Sequence, residues 1–168
     1  MSADEMARQL EDEAWAIPDA WNVVTREIIA GAIEVHRALG PGLLERLYEE
    51  ALEYELRGRG LKIDRQRQIR LTYRELDLSP MQLDMVVNDL VVVEIKAVER
   101  VHDAHLAQLV GYLRGGGLPL GLVLNFHAPR LTDGLYRRVN PHSPLMPKLS
   151  RPTTRVLSHT SALPVPPL

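Results

Sequence analysis

Two short apolar segments, LVVVEIKAV at residues 90–98 and LPLGLVLNF at residues 118–126, constrain the fold more than any other feature of this chain. The first is rich in β-branched residues, and the second is almost continuously apolar, as is typical of a buried strand. Neither approaches the roughly 20 apolar residues that a membrane span requires. Both segments therefore predict strands inside a globular fold.

Helical periodicity flanks these strands on both sides. Thr25 is a candidate N-cap of the first helix, and Gly40-Pro41 is a stop signal that ends it. The resulting order is α-α-β-β-β-α-β, which predicts an α/β fold with a small mixed sheet flanked by helices. The predicted elements are helices over about residues 28–39, 44–58 and 102–114, and strands within residues 62–78, 81–87, 90–98 and 118–126.

The two ends of the chain differ from its middle. Residues 1–20 form an acidic N-terminal extension, and residues 141–168 hold seven of the twelve prolines. Proline removes backbone donors and blocks helices, so this tail is expected to be extended and poorly ordered. At 168 residues, the chain fits one domain, which we expect within residues 21–140.

Charge and cysteine content exclude several classes of function. The formal net charge of −2, from 20 basic and 22 acidic residues, gives no general argument for a nucleic-acid partner, so such a partner must be argued from local patches. The absence of cysteine excludes disulfides, thiolate metal sites and thiol nucleophiles, and it fits a reducing compartment. The acidic N-terminus lacks the features of a secretory signal, so a cytoplasmic protein without membrane contact is expected.

Three charged residues interrupt the predicted strands. Glu94 and Lys96 project from one face of a strand, and Asp84 stands in the middle of the preceding strand. Charged side chains among apolar neighbours are rarely buried unless they are paired or bind a metal. The alternative is a half-exposed strand on which Glu94 and Lys96 form an ordinary ion pair.

Strand register decides whether these groups meet. A two-residue turn after Val87 would leave Asp84 and Glu94 on opposite faces of the hairpin. A three-residue loop would instead pair Val87 with Val91 and set Asp84 opposite Glu94. A shared site therefore requires an odd loop or a bulge.

The chemistry of a convergent Asp84, Glu94 and Lys96 would be specific. Two carboxylates form a hard oxygen site suited to Mg²⁺ or Mn²⁺. Such an ion neutralises phosphate charge and helps to ionise water, while Lys96 can orient that water or stabilise the transition state. A convergent site would thus suit chemistry on a phosphate group.

Five segments occur in the order found in a known protein family. They are HRALGP at residues 36–41, GLLERLY at 42–48, VVEIKAV at 92–98, QLVGY at 108–112 and LNF at 124–126. With Asp84, they resemble the bacterial GxxExxY protein family of the PD-(D/E)XK nuclease superfamily over roughly residues 25–140. The resemblance implies a restriction-endonuclease-like fold and a metal-dependent nuclease that acts on DNA rather than RNA. Homodimers are common among such nucleases.

The resemblance also implies roles for individual residues. Asp84 and Glu94 would be metal ligands, and Lys96 the catalytic lysine. Glu45 would be a helical acid that takes part in catalysis and in holding the metal, although its position alone favours a solvated glutamate beside Glu49 and Glu53. His36 is a further candidate ligand, or it caps the negative end of its helix.

Two further pairs are candidate substrate-binding residues. Gln108 and Tyr112 share a helical face that points away from the apolar stripe, where they would contact nucleic acid or form an ordinary polar surface. Arg65 and Arg67 lie in residues 57–74, a stretch with seven basic side chains and one acid. These arginines would track phosphates, or they would keep an edge strand soluble.

The chain departs from the family at two positions next to Asp84. Leu83 replaces the proline of the superfamily's name, and Gln82 stands where relatives often carry arginine. Two alternative functions remain: a non-catalytic nucleic-acid-binding or scaffold module that keeps the fold, and an RNA or nucleotide phosphohydrolase.

Overall fold

The computed structural model describes residues 17–147. Residues 1–16 of the predicted acidic extension and residues 148–168 of the predicted proline-rich tail lie outside this range, so the domain boundaries stay predictions. Residues 141–147 form turns, and the buried Ser143 donates its hydroxyl hydrogen to the Gly117 carbonyl at 2.5 Å. None of the helices within the described range is both long and apolar enough to cross a bilayer.

The order of helices and strands along the chain follows the predicted order, with additional strands. The helices are α1 (Asp19–Leu39), α2 (Glu45–Gly58) and α3 (Asp103–Gly116). The strands are β1 (Ile63–Ile69), β2 (Thr72–Tyr73), β3 (Leu76–Asp77), β4 (Met81–Val87), β5 (Val91–Lys96), β6 (Leu120–Asn125) and β7 (Leu135–Val139), with a 3₁₀ turn at Leu131–Gly134 before the last strand.

Five of the strands form one mixed sheet in the order β1-β4-β5-β6-β7. Strands β5 and β6 are parallel, and helix α3 provides the crossover between them. The other neighbouring pairs in this sheet are antiparallel, and β2 and β3 form a separate two-stranded hairpin. This arrangement confirms the predicted mixed α/β sheet flanked by helices.

Helices cover both faces of the sheet. Val91, Val93 and Ile95 of β5 pack in the apolar cluster formed with α1 and α2, whereas Val92 packs in the cluster formed with α3. Because side chains alternate along a strand, the face that carries Val92 is also the face that carries Glu94 and Lys96. The charged pair therefore lies in the layer between the sheet and α3.

The first helix begins earlier than its periodicity predicts. It starts at Asp19, directly after Pro18, so the prediction of Thr25 as an N-cap is wrong. Thr25 is buried, and its hydroxyl donates to the Trp21 carbonyl at 3.0 Å inside the helix. The predicted stop is confirmed, since the helix ends at Leu39 and Gly40 follows with a φ of 67°.

Two elements were not separated or identified by sequence pattern. The turn at Arg74 and Glu75 divides the second half of the first predicted strand segment into β2 and β3. Strand β7 was not predicted from the hydrophobicity pattern, because two of its five residues are arginines. One of them, Arg137, is buried and donates to the Asn22 Oδ1 at 2.9 Å, a partner 115 positions away.

Close packing of α3 on β6 gives a testable consequence at Gly121. A Cβ atom there would lie 2.7 Å from Leu109 Cδ1 and 2.9 Å from its Cγ, and Leu109 is fully buried. We expect Gly121→Ala to lower the free energy of unfolding in urea by about 1–3 kcal/mol, because overpacking displaces α3. Gly111→Ala is the control, because a Cβ atom at Gly111 on α3 would lie in open space. This variant should have an unchanged free energy of unfolding or one raised by about 0.4–1 kcal/mol. Equal stabilities of the Gly121→Ala and Gly111→Ala variants would contradict the packing described.

Candidate active site

The β4–β5 hairpin adopts the register that a shared site requires. Its three-residue loop covers residues 88–90, and Val87 is paired with Val91. Asn88 and Asp89 in the loop have φ values of 52° and 54°, a region that Asn and Asp tolerate better than most residues. The three-residue loop is confirmed, and its register sets Asp84 level with Glu94.

Asp84 is joined to the neighbouring strand through its side chain. The Ile95 backbone N–H donates to Asp84 Oδ2 at 2.9 Å. This contact continues the ladder beyond Met85 and Val93, which are the last backbone-paired residues of the hairpin. The half-buried carboxylate of Asp84 is therefore fixed against the strand that carries Glu94.

Glu94 and Lys96 form a buried ion pair rather than an exposed one. Lys96 Nζ donates to Glu94 Oε1 at 2.7 Å, and only 14% and 4% of the two side chains are exposed. The second oxygen of Glu94, Oε2, is buried and has no hydrogen-bond partner among residues 17–147. A buried carboxylate oxygen without a partner is costly, so this atom is an open acceptor for a cation or a proton.

Electrostatics couple the two carboxylates. Burial, followed by the charge of Asp84, raises the pKa of Glu94 to about 7, although the hydrogen bond from Lys96 acts in the opposite direction. Burial also raises the pKa of Asp84, against the Ile95 N–H bond and the charge of Lys96. Both groups bind protons more readily than an ordinary carboxylate, which is the expected state of an acidic pair that a cation would neutralise.

Lys96 keeps its proton at neutral pH. Burial works against its charge, but the hydrogen bond to Glu94 and the negative charges of Glu94, Asp84 and Glu45 outweigh burial and raise the pKa of Lys96. A lysine in this state donates hydrogen bonds and supplies positive charge. It is unsuited to act as a general base.

Glu45 reaches the same end of β5 from the first residue of α2. Its Oε1 accepts a hydrogen bond from the Ala97 N–H at 2.9 Å, one residue beyond Lys96. Its charge contributes to raising the pKa values of Asp84 and Glu94. Although Glu45 is exposed, it is tied to the sheet and is not the freely solvated glutamate of the alternative reading.

The turn before α2 explains why the Glu45 side chain is directed towards the end of β5. Gly42 has a φ of 106°, which a residue with a side chain rarely adopts. Tyr48 is fully buried, donates to the Gly40 carbonyl at 2.6 Å and accepts from the Leu43 N–H at 3.0 Å. Its ring stacks on Phe126, with centroids 4.4 Å apart. The Gly, Glu and Tyr of this seven-residue motif thus shape one structural unit.

Glu49 is a buried neighbour of the cluster that sequence reasoning placed among solvated residues. It is buried, and it accepts hydrogen bonds from Arg65 Nε at 2.9 Å and from Gln66 Nε2 at 2.7 Å. Its charge contributes to the raised pKa of Asp84. The signal available in the sequence was its position four residues after Glu45, on the same helical face.

Helix α3 brings Tyr112 to the cluster. The prediction that Tyr112 lies on a face away from the core is wrong: it is only 8% exposed and packs in the α3–sheet cluster. Burial, followed by the charge of Glu94, raises the pKa of its phenol. Gln108 is exposed, and its Nε2 donates to the Tyr112 hydroxyl at 2.7 Å. The charge of Glu94 therefore acts on the Tyr112 phenol, and Gln108 joins that phenol to the surface.

Arg65 and Arg67 are already neutralised within the protein. Arg65 Nε contacts Glu49 at 2.9 Å, and Arg65 Nη1 contacts Glu53 at 2.8 Å. Arg67 Nη1 lies 2.9 Å from an oxygen of Asp89. The expectation that these two arginines track phosphates is not supported, because their partners on α2 and in the hairpin loop occupy their guanidinium groups.

His36 is not part of the acidic cluster. Its Nε2 donates to the Ala128 carbonyl at 2.8 Å, and its ring lies 6.2 Å from that of Phe126. Phe126 belongs to the apolar cluster on the α1–α2 side of the sheet, opposite the face of Glu94. The expectation of His36 as a further ligand to the Asp84–Glu94 site is therefore wrong.

The donor set fits a divalent cation held by two protein carboxylates. No group of three or more His, Asp or Glu side chains within residues 17–147 is arranged to hold a metal ion, which leaves Glu45 outside a ready-made ligand set. Mg²⁺ is often bound by only one or two carboxylates and keeps several waters. The partnerless Oε2 of Glu94 beside the half-buried Asp84 meets that requirement.

A known protein family matches most of the chain. The sequence profile of the PD-(D/E)XK nuclease superfamily matches residues 22–139, more than two thirds of the 168-residue chain. No curated protein and no solved structure matches the chain. The matched range includes all three helices except the first residues of α1, the entire sheet and the cluster around Asp84 and Glu94.

Proposed function

Because the chain belongs to the PD-(D/E)XK nuclease superfamily, whose members typically use divalent metal ions, we propose that it is a metal-dependent phosphodiesterase that cleaves DNA. We further propose that it is a member of the GxxExxY family, since Gly42, Glu45 and Tyr48 form the structural unit described above. DNA as the substrate, Mg²⁺ or Mn²⁺ as the ion and a homodimeric state are parts of this proposal.

One observation carries the proposal. The three-residue hairpin loop brings Asp84 beside Glu94, and the Glu94–Lys96 pair leaves Glu94 Oε2 buried without a partner. Retaining a buried carboxylate in this state costs stability unless a ligand completes its coordination. A divalent cation held by Asp84 and Glu94 satisfies both carboxylates.

Each residue has a chemical role in the proposed site. The bound cation would neutralise phosphate charge and lower the pKa of a water. Asp84 and Glu94 would hold the cation, while the protonated Lys96 would donate a hydrogen bond to the attacking water or to a phosphate oxygen. Glu45 is held beside Lys96 by the Ala97 N–H, where it orients water at the open edge of the site.

The Gln108–Tyr112 pair lines the α3 side of the proposed site. The charge of Glu94 raises the pKa of the Tyr112 phenol, and the exposed Gln108 is hydrogen-bonded to that phenol. A phenol and an amide at this place can donate hydrogen bonds to a phosphodiester. We assign both residues to substrate positioning.

A non-catalytic binding module is the second candidate. It is favoured by the hydrogen bond that already occupies Glu45 Oε1 and by the absence of a three-ligand group within the described residues. The discriminating experiment is cleavage of single- and double-stranded DNA and RNA by the purified chain with Mg²⁺ or Mn²⁺. The proposal predicts metal-dependent cleavage of DNA; cleavage of RNA or nucleotides alone would replace DNA as the substrate, and metal binding without any cleavage would favour the module.

Metal binding should also be visible in stability. We expect Mg²⁺ or Mn²⁺ at a hundredfold excess over its Kd to stabilise the native chain by about 2.7 kcal/mol, seen as a higher midpoint of thermal unfolding. Glu94→Gln keeps an oxygen for Lys96 but removes the ligand charge, so its midpoint should not respond to metal. Glu34→Gln, which removes an exposed carboxylate paired with Arg37, is the control and should respond like the native chain. An equal response of Glu94→Gln would contradict the assigned site.

A further inference from the structure

The β2–β3 hairpin, residues 71–78, presents an apolar face that is exposed among residues 17–147 except at its base, where Leu71 lies beside α3. Tyr73 pairs with Leu76, and Leu78 N–H donates to the Leu71 carbonyl, so these four side chains share one face of the hairpin. All four are exposed, with Tyr73 at 60% and Leu76 at 61%. Thr72 and Asp77 lie on the opposite face, where they are hydrogen-bonded to each other.

The cations at this hairpin differ from those of the strand before it. Five of the seven basic residues in the stretch 57–74 form ion pairs with carboxylates of the protein; these are Arg57, Arg59, Lys62, Arg65 and Arg67. In the described structure Arg70 and Arg74 make no ion pair, and Arg74 lies over the Tyr73 ring at 5.5 Å. The hairpin therefore combines an exposed aromatic ring with the two cations of this stretch whose charge is not matched internally.

The hairpin adjoins the proposed active site through two elements. Strand β4 leaves the hairpin and reaches Asp84 eight residues after Leu76, at most about 26 Å along an extended chain. On α3, Tyr112 and Gly115 lie three residues apart on one face. A Cβ atom at Gly115 would be 3.0 Å from Leu71, so the base of the hairpin lies beside the helix that carries Tyr112.

We propose that this hairpin is a stacking platform for unpaired bases of a nucleic-acid strand whose backbone enters the Asp84–Glu94 site. An exposed tyrosine with a guanidinium over its ring offers the base–aromatic and cation–π contacts that single strands use, and Arg70 adds attraction for the backbone. In a duplex the bases are stacked on each other and offer no free face to Tyr73. The inference rests on the proposed function and specifies its substrate as single-stranded or locally unpaired nucleic acid.

Glu75 is the feature of the hairpin that opposes this role. It occupies the turn next to Arg74, is exposed and carries a negative charge near the proposed strand. The platform therefore predicts that Glu75→Gln strengthens single-strand binding, because the substitution removes repulsion without touching the apolar face. A purely apolar contact would be indifferent to this change.

The test measures binding apart from cleavage, by fluorescence anisotropy of labelled oligothymidine and of a duplex of mixed sequence in EDTA. Tyr73→Ala should weaken oligothymidine binding about 5- to 150-fold, in line with the loss of one stacked base, and should change duplex binding little. Tyr73→Trp should retain the affinity. Tyr54→Ala is the matched control, because Tyr54 is also an exposed tyrosine, at 83%, but lies on α2 in a surface depression lined by α2 and the residue that follows it; it should bind like the native chain.

The outcomes separate this inference from the proposed function. Equal oligothymidine affinity for Tyr73→Ala, Tyr54→Ala and the native chain would overturn the platform, as would a native chain that binds oligothymidine no better than duplex. A dimer that dissociates on Tyr73→Ala, seen by sedimentation, would assign the face to a second copy of the chain and also overturn it. Tyr73-dependent binding without metal-dependent cleavage would overturn only the proposed nuclease activity.

Discussion

Asp84→Asn is expected to abolish metal-dependent cleavage while leaving the fold intact. The asparagine oxygen can still accept the Ile95 N–H bond that fixes residue 84 to β5. It carries no charge, so the cation loses one of its two protein carboxylates. Loss of a group that only supports a metal ligand typically costs 10- to 100-fold, and we expect loss of a ligand itself to lower the cleavage rate by more than about 100-fold.

The control for this variant is Asp64→Asn on the adjacent strand. Asp64 is exposed, and the ion pair that it forms with Arg67 within the described residues is long, at 3.6 Å. Both variants exchange a carboxylate for an amide within the same sheet, so they separate the site from general charge effects. Initial rates with saturating Mg²⁺ should be native for Asp64→Asn; a rate for Asp84→Asn within a few-fold of the native rate would remove Asp84 from the metal site.

Lys96→Met is expected to lower the cleavage rate by about 10²–10³-fold. Methionine retains much of the aliphatic length but loses the ammonium group, and removal of one preorganised donor to a developing charge typically has an effect of this size. Glu94 then loses the cation that lowers its pKa, so without metal it takes up a proton more readily. This protonation limits the stability loss that an unpaired buried charge would otherwise cause.

Lys62→Met provides a matched comparison. Lys62 also lies 2.7 Å from a carboxylate oxygen, that of Asp89, but 71% of its side chain is exposed compared with 14% for Lys96. An exposed ion pair contributes about 0–1 kcal/mol, and Lys62 has no part in the proposed chemistry. Its variant should cleave at the native rate. If the two variants lost activity equally, Lys96 would have no special role.

Local patterns predicted the central strands and identified Asp84, Glu94 and Lys96 as candidates for one cluster, but they left the strand register open. The alternation of Val92 and Glu94 with Val91 and Val93 predicted which face carries the charge, and the structure places that face towards α3. The sequence left two registers for the hairpin, one with a two-residue turn and one with a three-residue loop. Lengthening the loop by one residue moves Asp84 to the other face of the hairpin relative to Glu94. The structure has the choice that joins Asp84 to Glu94.

Contacts between distant segments account for what the sequence did not predict. Arg65 appeared to be a surface cation, but its partners Glu49 and Glu53 lie on α2 and are brought close only by the folded sheet. Gln66, opposite Asp84 in the β1–β4 register, has a φ of 53°, and its side chain turns to Glu49. The periodicity of the sequence does not predict a residue with a positive φ in the middle of a strand.

Tyr112 illustrates a limit of helical-face arguments. The apolar stripe defined by the neighbouring leucines assigned Tyr112 to the polar side of the helix. The face of α3 that packs on the sheet is broader than this stripe, so Tyr112 is buried together with Leu109 and Leu113. A tyrosine can pack its ring and still satisfy its hydroxyl, as the bond from Gln108 does here. Residues with both apolar and polar parts are therefore poorly assigned by a two-class pattern.

The position of bound Mn²⁺ is the measurement that tests the central claim most directly. Crystals of the native chain soaked in Mn²⁺ should give an anomalous scattering peak within coordination distance of Asp84 and Glu94 oxygens, including Glu94 Oε2, and the peak should be absent from Asp84→Asn crystals. A native structure in which Mn²⁺ binds elsewhere, while Glu94 Oε2 remains without a metal contact, would contradict the account.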